Sequence, residues 1–185
     1  MRNMIHIRVP RMNIFSVVAT VFFATACGAP KVYSDYATWD RNTDKGIQRS
    51  EFVDSYLANN NAKNWQLESG SLNRLKFTER LFHRMDENNS GTLTVDEFNP
   101  KIKKFSFGMV SASISSWDTD DNGILVRDEF TAAASKSKLF NLWDTSGDNS
   151  ISAKELAGGM FYVCDLNNDH HIDENEFKAW QESIN

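Results

Sequence analysis

The chain has 185 residues, 41% of them hydrophobic and including 13 Phe and 5 Trp, enough apolar mass for a packed core and too much for a wholly disordered chain. Acidic residues number 25 against 20 basic, a net charge of −5, which argues against a nucleic-acid partner because phosphate binding needs a basic footprint. With only two cysteines, Cys27 and Cys164, the chain is no disulfide scaffold.

Charge is unevenly placed. Residues 1–26 contain Arg2, Arg8 and Arg11 and no acid, so the rest of the chain is more acidic than the whole. The apolar run NIFSVVATVFFATA then ends at Cys27. It is too short to span a bilayer, which takes about 20 residues, and it fits the apolar region of a secretory signal peptide. The stretch Phe23-Ala24-Thr25-Ala26-Cys27 resembles a bacterial lipoprotein signal, with Ala24 where that family usually has a large aliphatic residue. The resemblance implies loss of residues 1–26 and a lipid anchor on Cys27, the one expected membrane attachment of an exported envelope protein. Simple cleavage after Ala26 is the alternative. It leaves a free thiol, open to a bridge with Cys164, on a periplasmic or secreted protein. Residues 27–35 read as a short linker.

Five segments then repeat: DRNTDKGIQRSEF from Asp40, DENNSGTLTVDEF from Asp86, DTDDNGILVRDEF from Asp118, DTSGDNSISAKEL from Asp144 and DLNNDHHIDENEF from Asp165. Each opens with Asp and has Asn, Asp or Ser at the third and fifth positions. Each has Ile or Leu at the eighth, Glu at the twelfth and Phe or Leu at the thirteenth. An apolar residue precedes each first Asp (Trp39, Met85, Trp117, Trp143, Cys164), and another lies four before it (Tyr36, Phe82, Ile114, Phe140, Phe161). That spacing puts both on one face of an entering helix. Oxygens at alternate positions of a tight loop converge on one centre, and a carboxylate from the following helix closes the far side; Ca²⁺ takes about 6–8 oxygens with loose angular demands. Capping boxes such as Thr94-x-x-Glu97 and Ser152-x-x-Glu155 would start the exiting helices without a metal, but they do not require acids or amides at the first, third and fifth positions.

This pattern, repeated with its flanks from Tyr36 to Trp180, resembles the EF-hand calcium-binding family. The resemblance implies a ligand set for each loop. It assigns Asp40, Asn42, Asp44, Gly46 and Glu51 to the first, and Asp86, Asn88, Ser90, Thr92 and Glu97 to the second. The third receives Asp118, Asp120, Asn122, Ile124 and Glu129, the fourth Asp144, Ser146, Asp148, Ser150 and Glu155. The fifth receives Asp165, Asn167, Asp169, His171 and Glu176. The seventh residue of each set (Gly46, Thr92, Ile124, Ser150, His171) acts through its carbonyl. The sharp turn at the sixth position suits Gly91, Gly123 and Asn149, whereas Lys45 and His170 depart from the pattern. A soft-metal site through Cys164, His170 and His171 is the competing reading of the fifth segment, and the oxygen-rich frame disfavours it.

The expected fold is all-α: an EF-hand helix–loop–helix array of about five calcium loops, two pairs plus one extra, with two-residue β contacts between paired loops. Residues 36–62 form the first unit, 72–135 a pair holding the second and third loops, and 136–185 a pair holding the fourth and fifth. Gly158-Gly159 is expected to break the helix between those last two loops. Asn99 is expected to cap a helix restarted at Pro100. The expected function is calcium binding as a buffer or as a calcium-stabilised envelope protein. The alternative is a calcium-dependent adaptor or sensor that binds an unidentified protein. No nucleophile elbow, phosphate loop or His-Glu zinc helix points to an enzyme.

Overall fold

The computed structural model describes residues 36–67 and 70–184. The expected signal segment, Cys27 and the expected linker lie outside the described residues. Within the unit Tyr33–Asn185, a short helix α1 (Tyr36–Trp39) leads into the first acidic loop, strand β1 (Ile47–Gln48) and helix α2 (Arg49–Ala58). A 3-10 turn at Asn61–Trp65 precedes β2 (Ser71–Asn73) and α3 (Arg74–Met85). The second loop carries β3 (Thr92–Leu93) and opens α4 (Val95–Phe105). A second 3-10 turn at Ile114–Ser116 leads to β4 (Leu125–Val126) and α5 (Arg127–Lys136). Then come α6 (Leu139–Trp143), β5 (Ser150–Ser152), α7 (Ala153–Cys164), β6 (His171–Ile172) and α8 (Glu174–Ile184).

The strands pair in a nested order. β3 pairs antiparallel with β4 through Leu93↔Leu125, so the second and third loops are partners. The expected pairing of the fourth and fifth loops is wrong. The fourth loop pairs with β2 (Leu72↔Ile151), and the fifth pairs with the first (Ile47↔Ile172). The cause is α7. It is a single helix of 12 residues, about 18 Å long at 1.5 Å per residue, and it both leaves the fourth loop and enters the fifth. Two strands at opposite ends of one rigid rod cannot meet. The same geometry holds for α3, also of 12 residues, between β2 and the second loop. The first loop is therefore not an extra unit but one member of the outermost pair.

The unbroken α7 corrects a second expectation. Its glycines are sites of close approach, not breaks. A Cβ on Gly159 would lie 2.3 Å from the Trp143 ring, and one on Gly158 would lie 2.3 Å from the Arg49 guanidinium. α4 also runs straight through Pro100. Pro100 is the sixth residue of that helix, so the carbonyl it leaves without an amide is that of Asp96, which is exposed to water, and the Asn99 side chain, instead of capping, accepts from the Ile114 amide at 3.0 Å. On the same helix the Lys101 ammonium donates to the Met85 carbonyl at 2.9 Å and pairs with Glu87.

Aromatic rings fill the core under each strand pair. Trp39 packs on Phe177 and Trp180, and Phe52 on Trp180, with centroids 5.1–5.3 Å apart, beneath β1 and β6. Trp65 stacks on Phe77 at 5.9 Å, and Phe77 meets Trp143 at 5.3 Å, beneath β2 and β5. Phe98, Trp117 and Phe130 serve β3 and β4. The strand residues Ile47, Leu72, Leu93, Leu125, Ile151 and Ile172 are all 0% exposed. Removing each such side chain from water contributes about 1.5–3 kcal/mol.

In an open helix, Gly to Ala gains up to about 1 kcal/mol. Against the rigid Trp143 ring, overpacking should win. Gly159→Ala is expected to lower stability in urea unfolding by about 1–3 kcal/mol, whereas Gly158→Ala meets only the end of a flexible arginine and should be tolerated. Equal stabilities of the two variants would contradict this packing.

Candidate metal centre

The five acidic segments fold into one recurring loop. In each, the first Asp accepts from the fifth and sixth amides. In the second loop, Asp86 takes the N–H of Ser90 at 2.9 Å and of Gly91 at 2.8 Å. In the fifth, Asp165 takes those of Asp169 at 3.2 Å and His170 at 3.0 Å. Asp40, Asp118 and Asp144 repeat the pattern. The twelfth Glu reaches back across the loop with both oxygens. Glu176 accepts from Leu166 at 2.8 Å and Asn167 at 3.1 Å through Oε1, and from Asp173 at 3.0 Å through Oε2. Glu51, Glu97, Glu129 and Glu155 do the same between the start of their loops and Gln48, Thr94, Val126 and Ser152. The first and last carboxylates are thus already aimed at the loop interior.

Third- and fifth-position side chains close the ring. Asn42, Asn88 and Asn167 each accept from the amide two residues on, as do Asp120 and Asn122. Asp44, Asp148 and Asp169 accept from Gly46, Ser150 and His171. Ser90 donates to the Thr92 carbonyl at 3.1 Å, and Ser146 donates to Asp144 at 3.4 Å. Oxygens of Asp118, Asp120 and Glu129 lie within 4.8 Å of one another. Three carboxylates this close repel unless a cation lies between them. The donors are all oxygen, as a hard cation requires. The soft-metal reading fails on the same ground: Cys164 is 2% exposed beneath the loop, burial pushes its thiol far up, and the His171 ring lies beside the Asp169 carbonyl.

The turns explain the tolerance for unusual residues. All five loops go left-handed at both the fourth and sixth positions: Thr43 and Lys45, Asn89 and Gly91, Asp121 and Gly123, Gly147 and Asn149, Asn168 and His170. Lys45 and His170 take φ of 73° and 68° at the sixth position. Both are exposed, so nothing beyond the backbone resists them. Gly46 lets the chain pass close to His171: a Cβ at position 46 would lie 3.0 Å from the His171 Cβ.

A sixth unit escaped the sequence reading. Across residues 65–77, Gly70 is left-handed (φ 86°) at the sixth position, and Leu72 fills the eighth. Asn73 caps α3 by accepting from the Lys76 amide at 2.9 Å, and Phe77 is buried at the thirteenth. Trp65 and Lys76 stand where the first Asp and last Glu would be, so the unit lacks the acidic signature of the other five. Only the apolar register (Gly70, Leu72, Phe77) could have found it.

The family model described as EF hand matches residues 78–99, the second loop and its entering helix. The probable calcium-binding protein CML34 of Arabidopsis thaliana is 35% identical over 83 residues, 42% of this chain and 63% of that protein. The calcium-binding protein CML24 of the same plant is 30% identical over 113 residues, covering 49% and 66%. The probable calcium-binding protein CML43 is 26% identical over 165 residues, covering 66% and 91%. The chain spans under two thirds of the length of the first two of these relatives. The mostly helical fold with its small antiparallel strand pairs is consistent with an EF-hand fold; the matches support the EF-hand family and Ca²⁺ as its ion.

Amide donation also sets the acidity of the loops. Desolvation, the largest influence on Glu155, would raise its pKa, but hydrogen bonds from Ser152 and Ser146 together lower it from 4.5 to about 2. The Thr94 amide lowers Glu97, and the His171 amide lowers Asp169. A carboxylate depressed on folding stabilises the fold above its ordinary pKa and loses that contribution as pH falls through the folded value. Metal-free protein should therefore lose melting temperature between pH 4.5 and about 2, and Glu155→Gln should flatten part of that fall. A pH-independent melt over that range would contradict the assignment. His170→Gly relieves a left-handed non-glycine residue that costs about 1 kcal/mol, less the added freedom of the unfolded chain. It should raise the melting temperature of the metal-free protein, and a decrease would show that the imidazole stabilises the turn.

Proposed function

We propose that the protein is an exported calcium-binding protein, held to a bacterial envelope through lipid on Cys27, that serves as a calcium buffer or relies on calcium to stabilise its fold. The observation that carries the calcium part is the recurring loop, in which the first Asp and twelfth Glu are preset by backbone amides before any ion arrives. The relatives named calcium-binding proteins support it. The export and anchor rest on the sequence of residues 1–27 alone. Among the described residues no helix is long and apolar enough to cross a membrane. Calcium outside cells is abundant, so affinities of about 10⁻⁴–10⁻³ M would suffice.

A second reading, a calcium-dependent adaptor, draws on one feature. Phe107, Tyr162 and Leu166 line a groove of about 310 Å³ beside the fifth loop, flanked by Lys103 and Lys104. The aromatic core and its scarcity of methionine favour the first reading, since the adaptable grooves of calcium sensors are rich in Met.

Titrating chelator-treated protein with Ca²⁺ while following tryptophan fluorescence tests the proposal, because Trp39, Trp117 and Trp143 each precede a first Asp. A saturable change with a rise in melting temperature is expected. No response to millimolar Ca²⁺ would sink the calcium reading, and calcium-induced binding of an apolar dye would favour the adaptor. Mass spectrometry of the native N-terminus decides the anchor.

A further inference from the structure

The unit that has Trp65 and Lys76 in place of outer carboxylates carries cations nearby. Beside Trp65, helix α3 and the end of the first 3-10 turn bound a cavity of about 360 Å³, lined by Asn64, Gln66, Arg80, His83 and Arg84. Arg80 and Arg84 lie four residues apart on α3, so both stand on one face of the helix. Among the described residues no carboxylate lines the cavity, and neither arginine forms an ion pair with one. The whole chain carries 25 acids against 20 bases, so this cavity runs against the prevailing charge.

The arginines are partly withdrawn from water. Arg84 lies over the Trp65 ring, 4.4 Å from its centroid, and donates to the Asn64 carbonyl at 3.1 Å. Burial lowers its pKa, as it does for any cation that loses water. The Nε of Arg80 is buried without a hydrogen-bond partner among the described residues. A charged donor so placed is costly unless an acceptor meets its guanidinium. At the rim, Arg127 of α5 brings a third guanidinium, with Nη2 3.2 Å from Nε2 of His83. Arginine can only donate, so His83 accepts there. The carboxamides of Asn64 and Gln66 supply N–H donors without charge.

We propose that this cavity binds a phosphoryl group, held by Arg80 and Arg84 with the carboxamides of Asn64 and Gln66 as neutral donors. A phosphate monoester brings three acceptor oxygens and about two negative charges near neutral pH. It therefore balances two arginines, whereas a carboxylate supplies half that charge. A soluble phosphate ester and the headgroup of an anionic lipid offer the same chemistry. None of these residues belongs to a calcium ligand set, so the site goes beyond the calcium reading and stands without it.

The test uses the metal-free full chain, because calcium would precipitate phosphate. Inorganic phosphate is titrated in at constant ionic strength and followed by amide NMR. Gln66 and His83 should shift together and saturate, and Lys103, in the separate basic stretch of α4, should stay still. Arg80→Gln should weaken binding by at least about ten-fold, the loss expected for a hydrogen bond between charged groups. If Arg84→Gln unfolds the chain through the lost stack on Trp65, Arg84→Lys keeps the charge and should still lose affinity, since lysine lacks the forked donors. Shifts spread equally over Gln66 and Lys103, or binding indifferent to Arg80→Gln, would overturn the site. Acetate binding as tightly as phosphate would overturn the phosphoryl assignment. Glycerol 3-phosphate and dihexanoyl phosphatidic acid separate the two sources. Equal affinity marks a soluble ester, tighter binding of the acylated compound marks a lipid headgroup, and binding of neither would overturn the proposal.

Discussion

Two rigid helices govern the arrangement. α3 and α7, of 12 residues each, serve two loops apiece and hold them at opposite ends. A strand pair needs its members side by side, so neighbours along the chain that share such a helix must look elsewhere. The second and third loops, separated by α4 and a turn-rich connection, pair with each other. The others find distant partners, and the chain closes on itself in layers. The cost is entropic: contacts of long sequence separation must be ordered before their burial is recovered. The aromatic clusters beneath the strand pairs provide that burial.

Within this frame the loops hold negative charge in a confined space. Each loop turns its own amides inward, so that the first Asp and twelfth Glu are partly neutralised by N–H dipoles before an ion binds. This arrangement lowers the pKa of several carboxylates and leaves their remaining lone pairs free to converge on a cation. Glycine at the sixth position is a convenience in this geometry. Lys45 and His170 reach the same left-handed turn because their side chains point into solvent and the amides they present are the ones the first Asp needs.

Much of the site was legible in local sequence because a loop's chemistry is local. The alternation of oxygen-bearing residues after Asp118 places three carboxylates together, and the apolar residues at the eighth position are all buried. Cys164, in a slot shared with Trp and Met, is buried as its neighbours are. What local pattern missed was set by contacts across the chain. Gly158-Gly159 looked like a break because glycine weakens a helix; it is kept because Trp143 and Arg49 lie where Cβ atoms would go. The unit ending at Phe77 lacks an acid at its first and twelfth positions, where Trp65 and Lys76 stand, and what marks it is the burial of Leu72 and Phe77 beside the fourth loop.

By itself, then, the sequence determined which loops can gather oxygens around a cation and which face of each helix is buried, since both depend on residues within a dozen positions of one another. Which loop partners which was decided only in three dimensions. That choice depends on the length and rigidity of the shared helices and on aromatic contacts between residues more than a hundred positions apart, such as Trp39 with Phe177.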